Sequence, residues 1–359
     1  MRTVRRPVMV VCAALLTACG AGSESPLPTL DMEPVQAVAY PGAQWESAPV
    51  PAAAGGEAEL VAVSEKWFGQ DAPAPGVMSV VVAHRGRIVF ERTAPGVSTS
   101  DAVPSWSVAK SVLGAAVGVA VDRGIVSLED DSLHPSWPAG DPRSRITVAA
   151  LLHMASGLDW GENWETGDPV RLFLDPRGAA AFAATKALVA EPGRQFRYSS
   201  GDSSLLAGHL SRRLGGQGAL ERFVRDNVLA PVGIREARFD LDLTGEWTGA
   251  AGLNMSPRDF ARFGHLFARG GMWNDTRVVP QEWVEYSATV GVPNSTYGAH
   301  WWVHTHPVFS AEGLFGQVVM VDPSTTTVVV VTSRTGADFD SGMQLALRLT
   351  GLMSLTVEE

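Results

Sequence analysis

A serine and a lysine at helical spacing carry the clearest chemical signal in the sequence. Ser107 and Lys110 stand at the start of an apolar segment, residues 107–117. In a helix the two side chains share one face, so the lysine amine could take the proton of the serine hydroxyl. Ser107 would also lie at the helix N-terminus, where free backbone N–H groups favour a developing oxyanion. A chance pair, with a lysine amine that reaches solvent, is the plainer interpretation of this spacing alone.

The choice of lysine at this position supports a chemical role. Of 28 basic residues only Lys66, Lys110 and Lys186 are lysines, so the chain takes nearly all its positive charge from arginine. The segment around Lys110 is apolar nearly all round, which predicts burial. A buried lysine can lose its proton, whereas an arginine cannot. We therefore expect Lys110 to act as a base.

Delivering a proton to a leaving group requires a third side chain, and the chain has only four tyrosines. Tyr198 lies in a predicted loop that leads into a helix over residues 203–213. Taken alone, it could equally be an ordinary half-buried tyrosine.

Three ordered motifs resemble those of serine β-lactamases, penicillin-binding proteins and related esterases. They are Ser107-x-x-Lys110, Tyr198-Ser199-Ser200 and Ala311-Glu312-Gly313, the last ahead of a predicted strand over 317–321. The flanking residues 105–111, 156–160, 252–259 and 297–302 are most similar to the branch that includes 6-aminohexanoate-oligomer hydrolases. The resemblance runs from about residue 57 to the C-terminus.

The resemblance implies a role for each matching residue. Ser107 would be the nucleophile, Lys110 its base partner and Tyr198 the proton shuttle. The backbone N–H groups of Ser107 and Leu314 would form the oxyanion hole, and no cofactor is expected. The implied activity is an amidase or carboxylesterase that cleaves small linear amides or esters through an acyl-enzyme.

Two departures from the family pattern bear on the substrate. Ser200 stands where many β-lactamases have asparagine, and Ala311 stands where the third motif usually begins with lysine or histidine. That cation would hold the carboxylate of a penicillin. A β-lactamase or DD-peptidase is therefore the alternative, and a catalytically silent relative that binds cell-wall peptides is a further one. An α/β-hydrolase is disfavoured because the sequence has no G-x-S-x-G elbow.

Weaker signals concern substrate and metal binding. Trp160, Glu162 and Trp164 are interpreted as lining the substrate mouth together with Gly313, although the tryptophans could simply pack in the core. The histidines in the segment 304–306 alternate as metal ligands might, but no third ligand or HExxH pattern accompanies them, so no metal is predicted.

The order of predicted elements indicates an α+β fold. Predicted strands lie near both chain ends, at 77–83, 87–92, 317–321 and 325–332, and helices are predicted at 57–68, 107–123, 148–154, 203–213, 220–229, 256–269 and 340–352. This pattern favours one antiparallel sheet formed by both chain ends and flanked by helices, as in the β-lactamase/transpeptidase-like fold. We expect an α/β sandwich domain over 57–104 and 256–359, and a mostly helical inserted domain over 105–255 that carries the nucleophile helix.

The N-terminus has the features of an export signal. A basic start precedes a short apolar run over 8–16, and Leu16-Thr17-Ala18-Cys19 resembles the lipobox of bacterial lipoproteins. We predict a signal peptide over 1–18, lipidation at Cys19 and a flexible tether over 19–56. The protein would then be anchored to a membrane and face the cell exterior or periplasm. The alternative is a plain secretory signal with Cys19 lost or idle.

Composition limits the partners. The formal net charge is −10, which argues against nucleic acid. The only cysteines are Cys12 and Cys19, so the mature domain has neither a disulfide nor a cysteine nucleophile. We expect a small amide or ester as the substrate. The N-terminal lipid would make the membrane the other partner. The sequence leaves the oligomeric state open.

Overall fold

The structure is a computed structural model that describes residues 38–68, 72, 76–165 and 167–358. The predicted signal peptide and Cys19 lie outside these residues. The helices are α1 (Gly56–Phe68), α2 (Val108–Asp122), α3 (Val148–Leu152), α4 (Asp168–Leu174), α5 (Ala179–Ala184), α6 (Ser200–Arg213), α7 (Ala219–Val224), α8 (Pro257–Ala268), α9 (Gln281–Ser287) and α10 (Phe339–Met353). The strands are β1 (Val77–His84), β2 (Arg87–Thr93), β3 (Val103–Pro104), β4 (Arg238–Phe239), β5 (Leu253–Met255), β6 (Met272–Trp273), β7 (Thr276–Arg277), β8 (Trp302–Val303), β9 (Phe309–Gly313), β10 (Gln317–Asp322) and β11 (Thr327–Ser333).

One antiparallel sheet joins the two ends of the chain, as the sequence predicts. Its strand order is β2-β1-β11-β10-β9-β8, so an N-terminal strand pairs directly with the last strand. The strands are rich in β-branched valine, which suits a pleated surface buried on both faces. The α+β fold of the β-lactamase/transpeptidase type is therefore confirmed.

Side-chain alternation in the sheet builds two cores. Val328 and Val330 of β11 pack in the larger core with α8 and α2, whereas Val329 and Val331 face α1 and α10 on the other side. Helices thus cover both faces, which explains why every residue of β10 and β11 is buried.

A mostly helical segment lies between β2 and β8 in the chain, and α2 belongs to it. Residues 108–120 of α2 are all buried, in agreement with the apolar sequence. Such a helix is held by packing on all sides, which fixes the groups at its N-terminus.

Caps explain where two helices begin. The Oγ of Ser256 accepts the Asp259 N–H, with Pro257 at the first helical position, so the predicted start of α8 is correct. Helix α6 begins at Ser200, earlier than the predicted 203, because the Oγ of Ser199 accepts the Asp202 N–H. The predicted helix over 220–229 is also divided, since α7 ends at Val224 and a wider turn, Arg225–Leu229, follows.

Residues 38–56, which the sequence predicts to belong to a flexible tether, contact the folded domain instead. The Ala48 N–H donates to the Ile88 carbonyl beside β2, and the buried guanidinium of Arg262 donates to the carbonyls of Pro41 and Gly42. Residues 38–56 are therefore attached to the α/β layer. The rings of Tyr40 and Trp45 also pack against the larger core.

Candidate active site

The Ser107–Lys110 pair is placed by the first turn of α2. Ser107 is the N-cap residue, and the Lys110 Nζ lies 2.9 Å from the Ser107 Oγ. Both side chains are buried. The predicted helical spacing thus produces direct contact.

The backbone that leads into Ser107 has an unusual conformation. Trp106 has a φ of 48°, a left-handed value that a residue with a bulky side chain rarely adopts. Gly313 at the end of β9 lies against this segment, and a Cβ on it would come within 2.4 Å of the Ser105 carbonyl oxygen. Glycine is needed there because two backbones meet.

Three acceptors surround the amine of Lys110. Besides Ser107, they are the Ser200 Oγ at 3.1 Å and the Ala250 carbonyl oxygen at 3.0 Å. Burial lowers the pKa of Lys110 to about 8, against the opposing effect of the Glu162 carboxylate. The amine is therefore held by three hydrogen bonds yet can lose its proton near neutral pH.

Tyr198 completes the predicted triad in space. Its ring centroid lies 5.0 Å from the Lys110 Nζ, and its ring stacks on Trp302 at 5.6 Å. Burial raises the pKa of Tyr198 above its ordinary value, and a hydrogen bond with Ser107 opposes the shift. The phenol is thus kept protonated beside Ser107.

Glu162 links the predicted mouth segment to the second motif. Its Oε1 accepts the Ser200 hydroxyl at 2.6 Å and its Oε2 accepts the Ser200 N–H at 2.8 Å. The Trp160 Nε1–H also donates to this carboxylate. The negative charge lies at the N-terminus of α6, where the helix dipole favours it.

A cavity of about 220 Å³ opens at Ser107. It is lined by Ser107, Glu162, Trp164, Tyr198, Trp302, Glu312, Gly313, Leu314 and Phe339. Three of the four residues predicted to bind substrate, Glu162, Trp164 and Gly313, are in this set. Trp160 is not, because its indole is buried against Phe182 and Gly201.

The third motif has no cation at its usual position. Ala311 is buried in β9, and the next residue, Glu312, lines the cavity. The Oε1 of Glu312 accepts the Ser310 hydroxyl at 2.6 Å, and the Ser310 Oγ lies 2.7 Å from the His304 Nε2. His304 thus contacts both Ser310 and Glu312 at the edge of the cavity.

The predicted oxyanion hole is consistent with the positions of its two residues. Ser107 and Leu314 both line the cavity, and neither N–H has a backbone acceptor in the described part of the chain. Two donors at this point could bind the oxygen of a tetrahedral intermediate.

His300 supports the nucleophile helix from behind. Its Nδ1 lies 3.0 Å from the Lys110 carbonyl oxygen and its Nε2 lies 3.2 Å from the Ser203 Oγ. A carbonyl only accepts, so Nδ1 carries the proton and Nε2 accepts from Ser203. Burial lowers the pKa of His300 to about 3, so the ring is neutral.

Sequence reasoning missed Glu312, His300 and the carboxylate–serine pair. Glu162 and Ser200 are 38 residues apart and show no shared pattern. Glu312 could have been found, because it stands in the third motif.

Within the described residues there is no group of three metal-ligating side chains and no helix long and apolar enough to cross a membrane.

The chain resembles known proteins over most of its length. The sequence profile of the Beta-lactamase family matches residues 65–350. A 6-aminohexanoate-dimer hydrolase from Paenarthrobacter ureafaciens is 26% identical, over 70% of this chain and 70% of that protein.

Solved structures share the fold at low sequence identity. A protein from Bacillus anthracis, solved as a suggested 6-aminohexanoate-dimer hydrolase, superposes with a TM-score of 0.70 at 21% identity, over 92% of this chain and 91% of that one. The octameric penicillin-binding protein homologue from Pyrococcus abyssi gives a TM-score of 0.60 at 20% identity, over 82% and 75%. The chain therefore belongs to the Beta-lactamase family and is a serine hydrolase of the β-lactamase fold.

Proposed function

We propose that this serine hydrolase cleaves amide or ester bonds of small linear substrates through an acyl-enzyme on Ser107. The observation that carries the proposal is the 2.9 Å contact between the Lys110 Nζ and the Ser107 Oγ at the base of a cavity. The nucleophile, its base and a protonated phenol lie together, which is the set that acyl transfer requires.

The hydrogen-bond directions around Lys110 favour Ser107 as the group that loses its proton. A neutral amine donates two hydrogen bonds and accepts one. The Ala250 carbonyl can only accept, and the single proton of Ser200 is directed to Glu162. Of the three neighbours, only the Ser107 hydroxyl remains to donate to the lone pair. Glu162 therefore acts as a positioning residue, through Ser200.

The proton path of the proposed reaction is short. The Lys110 amine takes the Ser107 proton as Oγ bonds to the substrate carbonyl, and the N–H groups of Ser107 and Leu314 bind the oxyanion. Tyr198 donates its proton to the departing nitrogen or oxygen and regains one from the Lys110 ammonium. Water then attacks the acyl-enzyme with the same groups in reverse, which releases the acid and restores Ser107.

The proposed substrate class rests on the relative and on the third motif. The relative from Paenarthrobacter ureafaciens is named for a linear amide substrate. A penicillin carboxylate would meet Ala311 and Glu312 where a cation is usual. β-Lactamase or DD-peptidase activity is therefore the less favoured alternative.

Labelling and a substrate panel test this proposal. A fluorophosphonate should label Ser107, and the Ser107→Ala variant should not be labelled. We expect turnover of p-nitrophenyl butyrate or of 6-aminohexanoate oligomers, and slow or no turnover of nitrocefin and penicillins. Efficient penicillin hydrolysis would establish the alternative, and an unlabelled Ser107 in folded protein would indicate a silent, cell-wall-binding relative.

We further propose that the enzyme is exported and anchored by a lipid on Cys19. The basic start, the short apolar run and the lipobox-like segment support this location. A membrane anchor would keep the cavity near substrates outside the cytoplasm.

A further inference from the structure

The cavity beside Ser107 is acidic. Glu162 and Glu312 both line it. Among the described residues, no lysine or arginine lines this cavity or the adjoining cleft. The adjoining cleft, of about 540 Å³, shares Glu162, Trp164 and Leu314 with the cavity and adds another carboxylate, Glu165. The charged side chains that a substrate meets along this path are all negative.

The two inner carboxylates differ in how their charge is balanced. The negative charge of Glu162 is balanced by Lys110, because Ser200 forms hydrogen bonds with both side chains. Glu162 also accepts a hydrogen bond from the Ser200 N–H. Glu312 has no lysine or arginine partner within the described residues, and its nearest potential cation is His304, whose Nε2 lies 3.4 Å from the Oε1. When Lys110 is neutral, as the proposed reaction requires, no lysine or arginine among the residues lining the two cavities balances the two carboxylates.

The contacts of Glu312 need no positive partner. Ser310 gives its proton to the Oε1 of Glu312, so its Oγ accepts from His304, whose Nε2 must carry a proton. A neutral imidazole satisfies this requirement. Both polar contacts of Glu312 within the described residues use Oε1, although the side chain is only 10% exposed. These contacts form without a cation, but desolvating a largely covered carboxylate is costly, and a cation bound beside Glu312 would offset that cost.

Aromatic residues line the same region as the carboxylates. Trp164 and Trp302 line the cavity with Glu312, and Trp106 and Phe315 line the adjoining cleft. An ammonium over a tryptophan face is attracted by the ring quadrupole, and the attraction strengthens when the ion is desolvated. Carboxylate and indole together select a cation over a neutral group.

We propose that Glu312 is the specificity-determining residue of this enzyme, and that it binds an ammonium or guanidinium group on the substrate. The proposal deepens the proposed function and rests on it. Glu312 precedes Leu314 by two residues, about 7 Å of extended chain. The cation therefore lies within a few methylene groups of the carbonyl attacked by Ser107.

Matched esters test the charge preference. The probes are p-nitrophenyl esters of linear C4 and C6 acids that end in a methyl, an ammonium or a carboxylate group, measured as kcat/KM at low and high salt. For the wild type we expect the ammonium ester to exceed the methyl ester by about tenfold or more, and the carboxylate ester to be the slowest. Added salt should narrow the difference.

Variants locate the preference. Glu312→Gln should lower the ammonium-to-methyl ratio about tenfold, mainly through KM of the ammonium ester. Glu57→Gln removes a charge from the exposed side of α1 and should leave the ratio unchanged. If Glu312→Gln does not fold, protection of wild-type Ser107 from a fluorophosphonate by hexylammonium, compared with hexanol and hexanoate, replaces the variant measurement. Stronger protection by hexylammonium supports the inference.

The two proposals fail differently. Equal turnover of the ammonium and methyl esters would overturn the cation site and leave the proposed hydrolase intact. An unchanged ratio in Glu312→Gln would also overturn it and would point to Glu162 or Glu165 instead. Absence of turnover of every ester and amide, with Ser107 unlabelled, would overturn the proposed function and the cation site together.

Discussion

The Glu162 Oε1 accepts the hydroxyl proton of Ser200 at 2.6 Å, so the Ser200 oxygen is left to accept a hydrogen bond from the Lys110 amine. Ser200 stands where many β-lactamases have an asparagine side chain. In this protein a carboxylate from another loop supplies the polarity, so the second motif and the loop around Glu162 act as one unit.

Removing the charge of Glu162 tests this relationship. In Glu162→Gln, one of the two carboxylate oxygens that accept hydrogen bonds from Ser200 is replaced by an amide NH2 group. The Ser200 hydroxyl would then no longer be fixed as an acceptor for Lys110. We expect acylation to fall about 10²-fold or more, and its pH dependence to move to lower pH because Glu162 raises the pKa of Lys110. Single-turnover acylation across pH measures both. A loss of rate with an unmoved pH profile would indicate a purely structural role.

The base role of Lys110 predicts that a fixed positive charge cannot replace it. Lys110→Arg should be nearly as inactive as Lys110→Ala, with acylation reduced about 10³-fold or more, because arginine keeps its proton near neutral pH. Circular dichroism confirms folding of both variants. A folded arginine variant that retained a tenth of the wild-type rate would refute the base role.

The lowered pKa of Lys110 predicts a specific pH profile for the wild type. The neutral amine is the reactive form, so acylation should rise with pH and level off once the pH passes about 8. An ordinary lysine would still be gaining activity near pH 10. Single-turnover rates between pH 6 and pH 10 on a substrate without ionisable groups measure this, and a rise that continues to pH 10 would contradict the effect of burial.

Gly313→Ala tests the close approach of β9 to the nucleophile. The added Cβ would lie 2.4 Å from the Ser105 carbonyl oxygen, so one backbone must move by about 1 Å, which can reduce kcat about 10²-fold. Gly351→Ala on α10 is the matched control, because its Cβ would meet nothing within 4 Å and should stabilise the helix slightly. Equal kcat values for the two variants would show that β9 can shift without cost.

The predicted lipid anchor is tested by Cys19→Ser. We expect the wild type in the membrane fraction and the detergent phase, and the variant soluble or unprocessed, because one lipid group would carry all the affinity for the bilayer. Phase partitioning with immunodetection measures this. A wild-type protein that partitions into the aqueous phase would contradict lipidation.

The sequence by itself determined the fold class, and it predicted that Ser107, Lys110 and Tyr198 carry the chemistry. Valine-rich strands at both ends of the chain predicted the shared sheet, and helical spacing predicted the contact of Ser107 with Lys110, because both depend on local periodicity. The three motifs in order then identified Tyr198.

Only the tertiary structure decided what surrounds these residues. Several contacts join segments that are far apart in the chain, and no local sequence pattern encodes them. They are the pairing of Glu162 with Ser200, the contact of His300 with the Lys110 carbonyl and the packing of residues 38–56. The same holds for Glu312, whose position in the third motif was visible but whose exposure to the cavity depends on how β9 lies against α2. Charge and hydrogen-bond direction within the site follow from that packing.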